Sequence, residues 1–371
     1  MNLYLKSFFK NNFLIFISCI ILSSFGLSTI YNFTGDNSLF YKQLVIILIG
    51  FSSMIALSFL DFSFLKNKNY VFIFYIFTLI VLSVLLFFGY VNNGSQSWFR
   101  IAGISFQPAE FAKLALILML AKYLHKRHVD IAYFNHVLIS GLYTLIATAL
   151  VLKQPDLGSA LVIVGIWTVL VFVSGISKKH IFIIFLFAIA TIFFAWKFVF
   201  ANYQKERILN FVDPLRDVRG SGYNVFQSII AVGSGGFSGK GVSLGTQSKL
   251  SFLPEYQTDF IFAGFAEEWG FIGVCMLVFL FLLLIFSLCI LATRAPDNFE
   301  MLFIMGVAAY FIIHFCVNVG MNMGILPVTG IPLPFVSAGG THLLLESIML
   351  GIVFSMSKNS LKNHKKSNFV L

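Results

Sequence analysis

The chain is a succession of apolar runs separated by short polar segments. Ten runs approach the length of about 20 residues that a bilayer crossing requires. They lie near residues 13–31, 41–60, 70–90, 107–124, 136–152, 157–175, 179–200, 270–292, 301–323 and 336–356. The strict alternation of an outer-membrane barrel is absent from them. The pattern therefore predicts an all-α polytopic membrane protein of about ten transmembrane helices, with residues 1–371 as a single integral membrane domain. One connection departs from the rest. Residues 201–258, between the seventh and eighth runs, form a large loop, and structureless connections of that length are uncommon unless functional. Within it Gly222 to Val232 places Val225, Phe226, Ile229 and Ile230 at helical spacing, which predicts a short amphipathic helix at the membrane interface.

Composition narrows the class further. The chain is 58% hydrophobic and 11% charged, against roughly 25% charged in soluble proteins. A water-soluble fold and a disordered chain are both excluded. The formal charge of +10 raises the question of a nucleic-acid partner, and the placement of the cations answers it. Lys6, Lys10, Lys66, Lys68, Lys122, Lys126, Arg127, Lys178, Lys179, Arg294, Lys358, Lys362, Lys365 and Lys366 all fall on the side of the two termini, 14 of the 25 basic residues. The opposite short segments hold only Lys42, Arg100 and Lys153. By the positive-inside rule both termini are cytoplasmic and the 201–258 loop is extracytoplasmic. The charge is an orientation signal, so membrane lipids are implied and nucleic acid is not. The first run follows Lys6 and Lys10 without a small-x-small cleavage site and reads as a retained signal-anchor. Cys19, Cys275, Cys289 and Cys316 lie in apolar runs without paired spacing and read as small core residues, with neither disulfide nor zinc indicated.

Few polar groups remain to carry chemistry. Asp259 sits in P-E-Y-Q-T-D-F-I-F-A, where the long loop meets an apolar run. Partial desolvation there would raise its pKa toward the range of a general base; the competing reading is a helix-cap aspartate. Glu110 and Lys113 lie three apart in the fourth run and share a helix face, where an ion pair either lines a substrate cavity or locks helices together. Trp98 and Arg100 precede them as an interfacial belt anchor and a snorkelling cation, or as contacts to substrate. Lys153, Gln154 and Asp156 form a short turn, solvated or in touch with a head group. Glu267 and Glu268 open the eighth run, and Glu346 and His314 read as structurally hydrogen-bonded buried groups. Gly220 to Gly245 is glycine-dense, which permits a loop that cradles an anionic head group, but a P-loop would need Gly at Ser234 and Ser or Thr at Gly241, so no nucleotide is expected. Leu326 to Gly340 holds three prolines. It is either an unwound element buried in protein or a rigid turn.

The segments W-F-R-I-A-G-I-S-F-Q-P-A-E-F-A-K (98–113), K-Q-P-D-L-G (153–158), G-S-G-G-F-S-G-K-G (233–241), G-T-Q-S-K-L-S-F-L-P-E-Y-Q-T-D-F-I-F-A (245–263) and G-I-P-L-P-F-V-S-A-G-G (330–340) together resemble the SEDS family (shape, elongation, division and sporulation), its RodA branch more than its FtsW branch. The resemblance covers essentially the whole chain. It implies a peptidoglycan glycosyltransferase of the bacterial plasma (inner) membrane that polymerises lipid II into a nascent glycan strand during elongation, with a class B penicillin-binding protein transpeptidase as partner. It assigns Asp259 as the catalytic aspartate, Glu110 and Lys113 as the intramembrane pair and Trp98 as the sensitive outer tryptophan. Trp98, Arg100, Glu110, Lys113, Lys153, Asp156, Lys240 and Lys249 are then the expected substrate-binding set. Arg207, Arg216, Arg219, Lys240, Lys249 or a divalent cation (Mg or Mn) are candidates for the departing pyrophosphate. The chain departs from the family at Gln257, where most members have His, at Ala338, where Tyr is usual, and at Val218, where Pro is common. The competing functions are a flippase for a lipid-linked cell-wall precursor and a non-catalytic scaffold for the transpeptidase.

Overall fold

A computed structural model of the chain describes every residue except 1, 35–37, 68, 93–94, 102–103, 126–133, 199, 201, 213–220, 250–251, 254 and 368–371. In chain order the elements are α1 (Asn2–Thr34), α2 (Ser38–Phe59), α3 (Phe64–Asn67), α4 (Tyr70–Phe88), β1 (Tyr90–Asn92), β2 (Ser95–Ile101), β3 (Ile104–Phe106), α5 (Pro108–His125), α6 (Phe134–Lys153), α7 (Leu157–Val173), α8 (Lys178–Phe198), α9 (Asn202–Val212), α10 (Ser221–Ser234), α11 (Thr246–Lys249), α12 (Ile261–Thr293), α13 (Asn298–Asn322) and α14 (Gly340–Ser367). Each of the ten apolar runs carries one helix. Among the described residues seven, in α1, α2, α4, α6, α12, α13 and α14, are long and apolar enough to cross a membrane. α7 is shorter, at 17 residues, and α5 carries Glu110, Lys113 and Lys122 within its 18. The protein is an all-α polytopic membrane protein.

The helices sort by how much of their surface is apolar. α5 and α13 occupy the interior, against each other and α7, and bury residues all round, as a helix must when protein surrounds it. Peripheral helices turn large apolar side chains outward, Phe87 and Phe193 at 79% and 73% exposure, as surfaces facing lipid do. Cys275 and Cys316 are exposed in the same way, and only Cys19 is a core residue in the sense expected of all four. The reason is that lipid and core select the same apolar composition, so the sequence alone does not separate them.

Polar side chains hold the two ends of the bundle. At the end with the termini, Ser357 donates to Asn12 at 3.1 Å and Ser355 to the Leu60 carbonyl. Lys66 bridges Asp297 and Glu300, the latter at 2.7 Å, while Asp297 caps α13 by accepting the Glu300 N–H at 3.0 Å. At the other end the chain between α4 and α5 forms an antiparallel meander, β1-β2-β3, that pairs Tyr90 with Trp98, Phe99 with Phe106 and Arg100 with Ser105. The buried Gln154 anchors it, its side-chain amide donating to Leu82 O at 2.9 Å and its backbone carbonyl accepting from the Ser97 hydroxyl at 3.2 Å. Strands this short leave little periodicity to read, and the hydropathy pattern did not predict them.

The long loop is built around a break in α12. Gly270 adopts φ 64°, ψ −164°, a backbone state reserved for glycine. The break strands two carbonyls and two amides of that helix. The glycine-rich turn satisfies all four: the Lys240 and Gly241 N–H groups donate to Glu267 O and Glu268 O at 3.0 and 3.1 Å, and Phe271 N and Ile272 N donate to Gly236 O and Phe237 O at 3.0 and 3.2 Å. The fit tolerates no side chain, since a Cβ on Gly239 would lie 2.1 Å from Glu268 O. The Glu267 carboxylate then accepts from Lys240 Nζ (2.7 Å), Thr246 N (2.8 Å) and Gln247 N (3.1 Å), and Glu268 accepts from Ser243 N (2.8 Å). The glycines therefore clasp a helix, where the sequence suggested a cradle for an anionic group. With Glu267 and Glu268 each hydrogen-bonded to the turn, α12 begins at Ile261, nine residues before the start read from hydropathy.

α10 forms where the amphipathic helix was predicted, packing Val225, Ser228 and Ala231 inward and leaving Phe226, Ile229 and Ile230 exposed. α14 starts at Gly340, because the preceding proline-bearing segment is non-helical, with Ile331, Leu333, Phe335, Val336 and Ser337 all buried. That segment is the buried unwound element.

Candidate functional site

Asp259 lies in a tight turn that ends the loop. The Glu255 carbonyl collects the N–H groups of Thr258, Asp259 and Phe260 at 3.2, 3.1 and 3.2 Å, and Glu255 itself takes a positive φ of 52°, a strained state for a residue with a side chain. The cap position of α12 belongs to Phe260, which offers no side-chain acceptor. Asp259 is therefore not the helix cap that its position allowed. The turn is tied to the unwound segment through Ser337 Oγ to Thr258 O (2.6 Å) and Ala338 N to Gln257 O (2.8 Å). Across from the half-buried carboxylate stands Gly330, where a Cβ would come 3.3 Å from Asp259 Oδ2. Desolvation, reinforced by the nearby Glu255 and Asp156 charges and opposed by Arg207 and a hydrogen bond from Thr258, raises the Asp259 pKa from 3.8 to about 6. A carboxylate so placed is ionised at neutral pH yet basic enough to take a proton from a hydroxyl in a transition state.

The structure sorts the other expected residues. Asp156 acts on Asp259 from the start of α7, whose N-terminus it caps by accepting Ser159 N at 2.9 Å; its other oxygen accepts from the Gln107 amide at 3.0 Å. Arg207 reaches over from α9 and donates to Val328 O at 3.4 Å. Lys240 is engaged with Glu267 and, at 2.8 Å, with Thr246 Oγ1, and so serves the clasp on α12. Lys153 is exposed at the end of α6, and Trp98 and Arg100 lie on β2. The Lys249 side chain, Arg216, Arg219 and Val218 lie outside the described residues. Among the described residues no group of three His, Cys, Asp or Glu side chains is placed to hold a metal ion.

Glu110 and Lys113 form the ion pair that their spacing implied, at 2.6 Å and 1% exposure each. The pair belongs to a larger buried network. Tyr310 OH contacts Glu110 Oε2 at 3.3 Å and Glu346 Oε1 at 3.4 Å, Lys113 Nζ lies 3.4 Å from His314 Nε2, and His314 Nδ1 donates to Pro332 O at 3.2 Å. With Nδ1 donating to a carbonyl, Nε2 is the acceptor that faces the ammonium. Glu346 Oε2 accepts the Phe335 N–H at 3.0 Å. The network joins α5, α13 and α14 to the unwound segment, with every charge in it hydrogen-bonded, as burial demands.

Sequence reasoning passed over Tyr310, Asn318, Asn322, Ser337 and Gly330. A signal for three of them was present. Tyr310, His314, Asn318 and Asn322 recur every four residues in an otherwise apolar run, which places four polar side chains along one face of one helix.

The chain is similar to known proteins over most of its length. Residues 5–362 match the cell cycle protein family labelled FTSW_RODA_SPOVE. The peptidoglycan glycosyltransferase MrdB of Escherichia coli (strain K12) is 39% identical over 282 residues, 76% of each chain. A chain from the structure described as "Structural coordination of polymerization and crosslinking by a peptidoglycan synthase complex" superposes with a TM-score of 0.82 at 32% identity, over 93% of this chain and 97% of that one. The rod shape determining protein RodA of Thermus thermophilus superposes at 0.70 with 30% identity, over 93% and 96%. The chain belongs to the FtsW/RodA/SpoVE family, the SEDS family that its motifs resemble.

Proposed function

We propose that this protein is a peptidoglycan glycosyltransferase that polymerises lipid II, with Asp259 as general base. The observation that carries the reading is the Asp259 carboxylate itself, desolvated to a pKa of about 6, excluded from capping α12 and held facing Gly330. In the reaction the acceptor sugar's 4-hydroxyl loses its proton to Asp259 as its oxygen attacks the donor anomeric carbon. The bond from that carbon to the undecaprenyl pyrophosphate oxygen breaks, and a single displacement inverts an α-linked donor to a β-linkage. Cationic stabilisation of the departing pyrophosphate falls to Arg207, whose charge already acts on Asp259. The buried Glu110–Lys113 network supports the unwound segment opposite the base. The donor is already activated, so no nucleotide enters.

The orientation that fits is multi-pass in the bacterial plasma membrane, with both termini cytoplasmic and the 201–258 loop outside, where lipid II is consumed. The likeness to a chain of a peptidoglycan synthase complex favours a transpeptidase partner of the class B penicillin-binding type.

Purified protein supplied with lipid II tests the reading against a flippase and a scaffold. Wild type should build glycan strands, and Asp259→Ala and Asp259→Asn should lose about 10²- to 10⁴-fold, the usual worth of a general base. A flippase would move lipid II across vesicles without polymerising it. A scaffold would show no polymerisation of its own and tolerate both substitutions.

A further inference from the structure

The lower half of the polar line on α13 does something the ion-pair network does not explain. Asn318 and Asn322 are fully buried, and both donate to one atom, the carbonyl oxygen of Asp259, each at 3.0 Å. A carbonyl oxygen has two lone pairs, and here both are taken from the same helix. The Asn318 amide also donates to Ile331 O at 2.8 Å, next to Gly330. Asn322 uses its own Oδ1 to accept the Ala263 N–H at 3.2 Å, filling the first turn of α12 that Phe260 leaves without a side-chain cap. These partners fix which way each amide points, because a carbonyl only accepts and an N–H only donates.

We propose that Asn318 and Asn322 are positioning residues for the reaction at Asp259. They hold the peptide that carries the carboxylate and the segment that faces it to one rigid helix. Asn318 spans both sides of the gap between Asp259 and Gly330, and Asn322 sets where α12 begins. The inference rests on the reading of Asp259 as the base. Capping of α12 would need only Asn322 Oδ1, and explains neither Asn318 nor the paired donors on Asp259 O. The charges that act on the carboxylate come from Glu255 in its own turn, Arg207 on α9 and Asp156 at α7. Replacing either asparagine therefore moves the carboxylate without changing those charges.

The test is the pH–rate profile of lipid II polymerisation by full-length Asn318→Ala and Asn322→Ala, normalised to the folded fraction from size-exclusion chromatography. The expected result is a kcat about 10- to 10²-fold lower, the scale of an ångström-sized misplacement, with KM within a few-fold of wild type. The acidic limb should shift to lower pH as the carboxylate relaxes toward water. If alanine prevents folding, Asn318→Gln and Asn322→Gln, which keep the donors one methylene further out, carry the same readout. Wild-type kcat, or lost activity with the acidic limb unmoved, overturns the proposal. Asp259→Asn run alongside separates the two readings: if it stays active the base assignment itself fails, and if it is dead while the asparagine variants match wild type only the positioning role fails.

Discussion

Asp259 Oδ2 and Gly330 face each other so closely that a single methyl group on the glycine would lie 3.3 Å from the carboxylate oxygen. Gly330 also holds φ at +74°, where any side chain costs about 1–2 kcal/mol. Gly330→Ala should therefore lower polymerisation about 10-fold or more while the protein still purifies as a monodisperse species. Steady-state kinetics on lipid II checks this; a kcat equal to wild type would show that the contact has no bearing on the reaction.

The raised pKa of Asp259 makes activity and stability respond to pH in opposite senses. The base works only when ionised, so kcat/KM should fall as pH drops through about 6. The folded chain binds this proton more tightly than the unfolded chain, whose carboxylate titrates near 3.8. Between those values the native state holds more protons, and stability declines as pH rises. Asp259→Asn should accordingly melt above wild type at pH 7, by at most about 3 kcal/mol for a shift from 3.8 to about 6, and match it near pH 3. Thermal melts at the two pH values decide the matter, and a variant less stable than wild type at pH 7 would sink the idea.

Glu110 and Lys113 offer a test of the buried network. Lys113→Ala leaves Glu110 in protein interior with Tyr310, among the described residues, as its remaining side-chain hydrogen-bond donor, and uncompensated buried charges cost about 3–5 kcal/mol. Each single removal should reduce folded yield and activity more than the exchange Glu110→Lys with Lys113→Glu, which keeps the pair. Measured yields and rates in which Lys113→Ala is silent would refute this.

The clasp on α12 predicts a stability effect away from the base. A Cβ on Gly270 would lie 2.1 Å from Gly239 N, so Gly270→Ala cannot keep the four exchanged backbone hydrogen bonds. The variant should melt several degrees lower and be cut by protease within residues 236–245. Unchanged melting together with unchanged protease resistance would be the contrary result.

Much of the fold was legible because membrane insertion is a one-dimensional constraint. A helix crossing lipid must satisfy its backbone internally and show apolar side chains, so hydropathy located all ten helices and composition excluded other classes. The Glu110–Lys113 pair was legible for a similar reason, being set by local spacing. The positions of Asp259, the glycine-rich segment and the unwound element were visible as exceptions to the apolar pattern, but their jobs were not. The glycines could have cradled an anion and Asp259 could have capped a helix; only packing against α12 and α13 separates those possibilities.

The sequence by itself determined the class, the helices and the few polar residues available for chemistry, because burial in lipid allows few alternatives. Tertiary structure alone decided what those residues face. Gly330 stands 71 positions from Asp259, and Asn318 and Asn322 stand 59 and 63 positions from it. Contacts across such separations have no local signature. They exist because the break at Gly270, the unwound segment after α13 and the polar line on α13 are packed together.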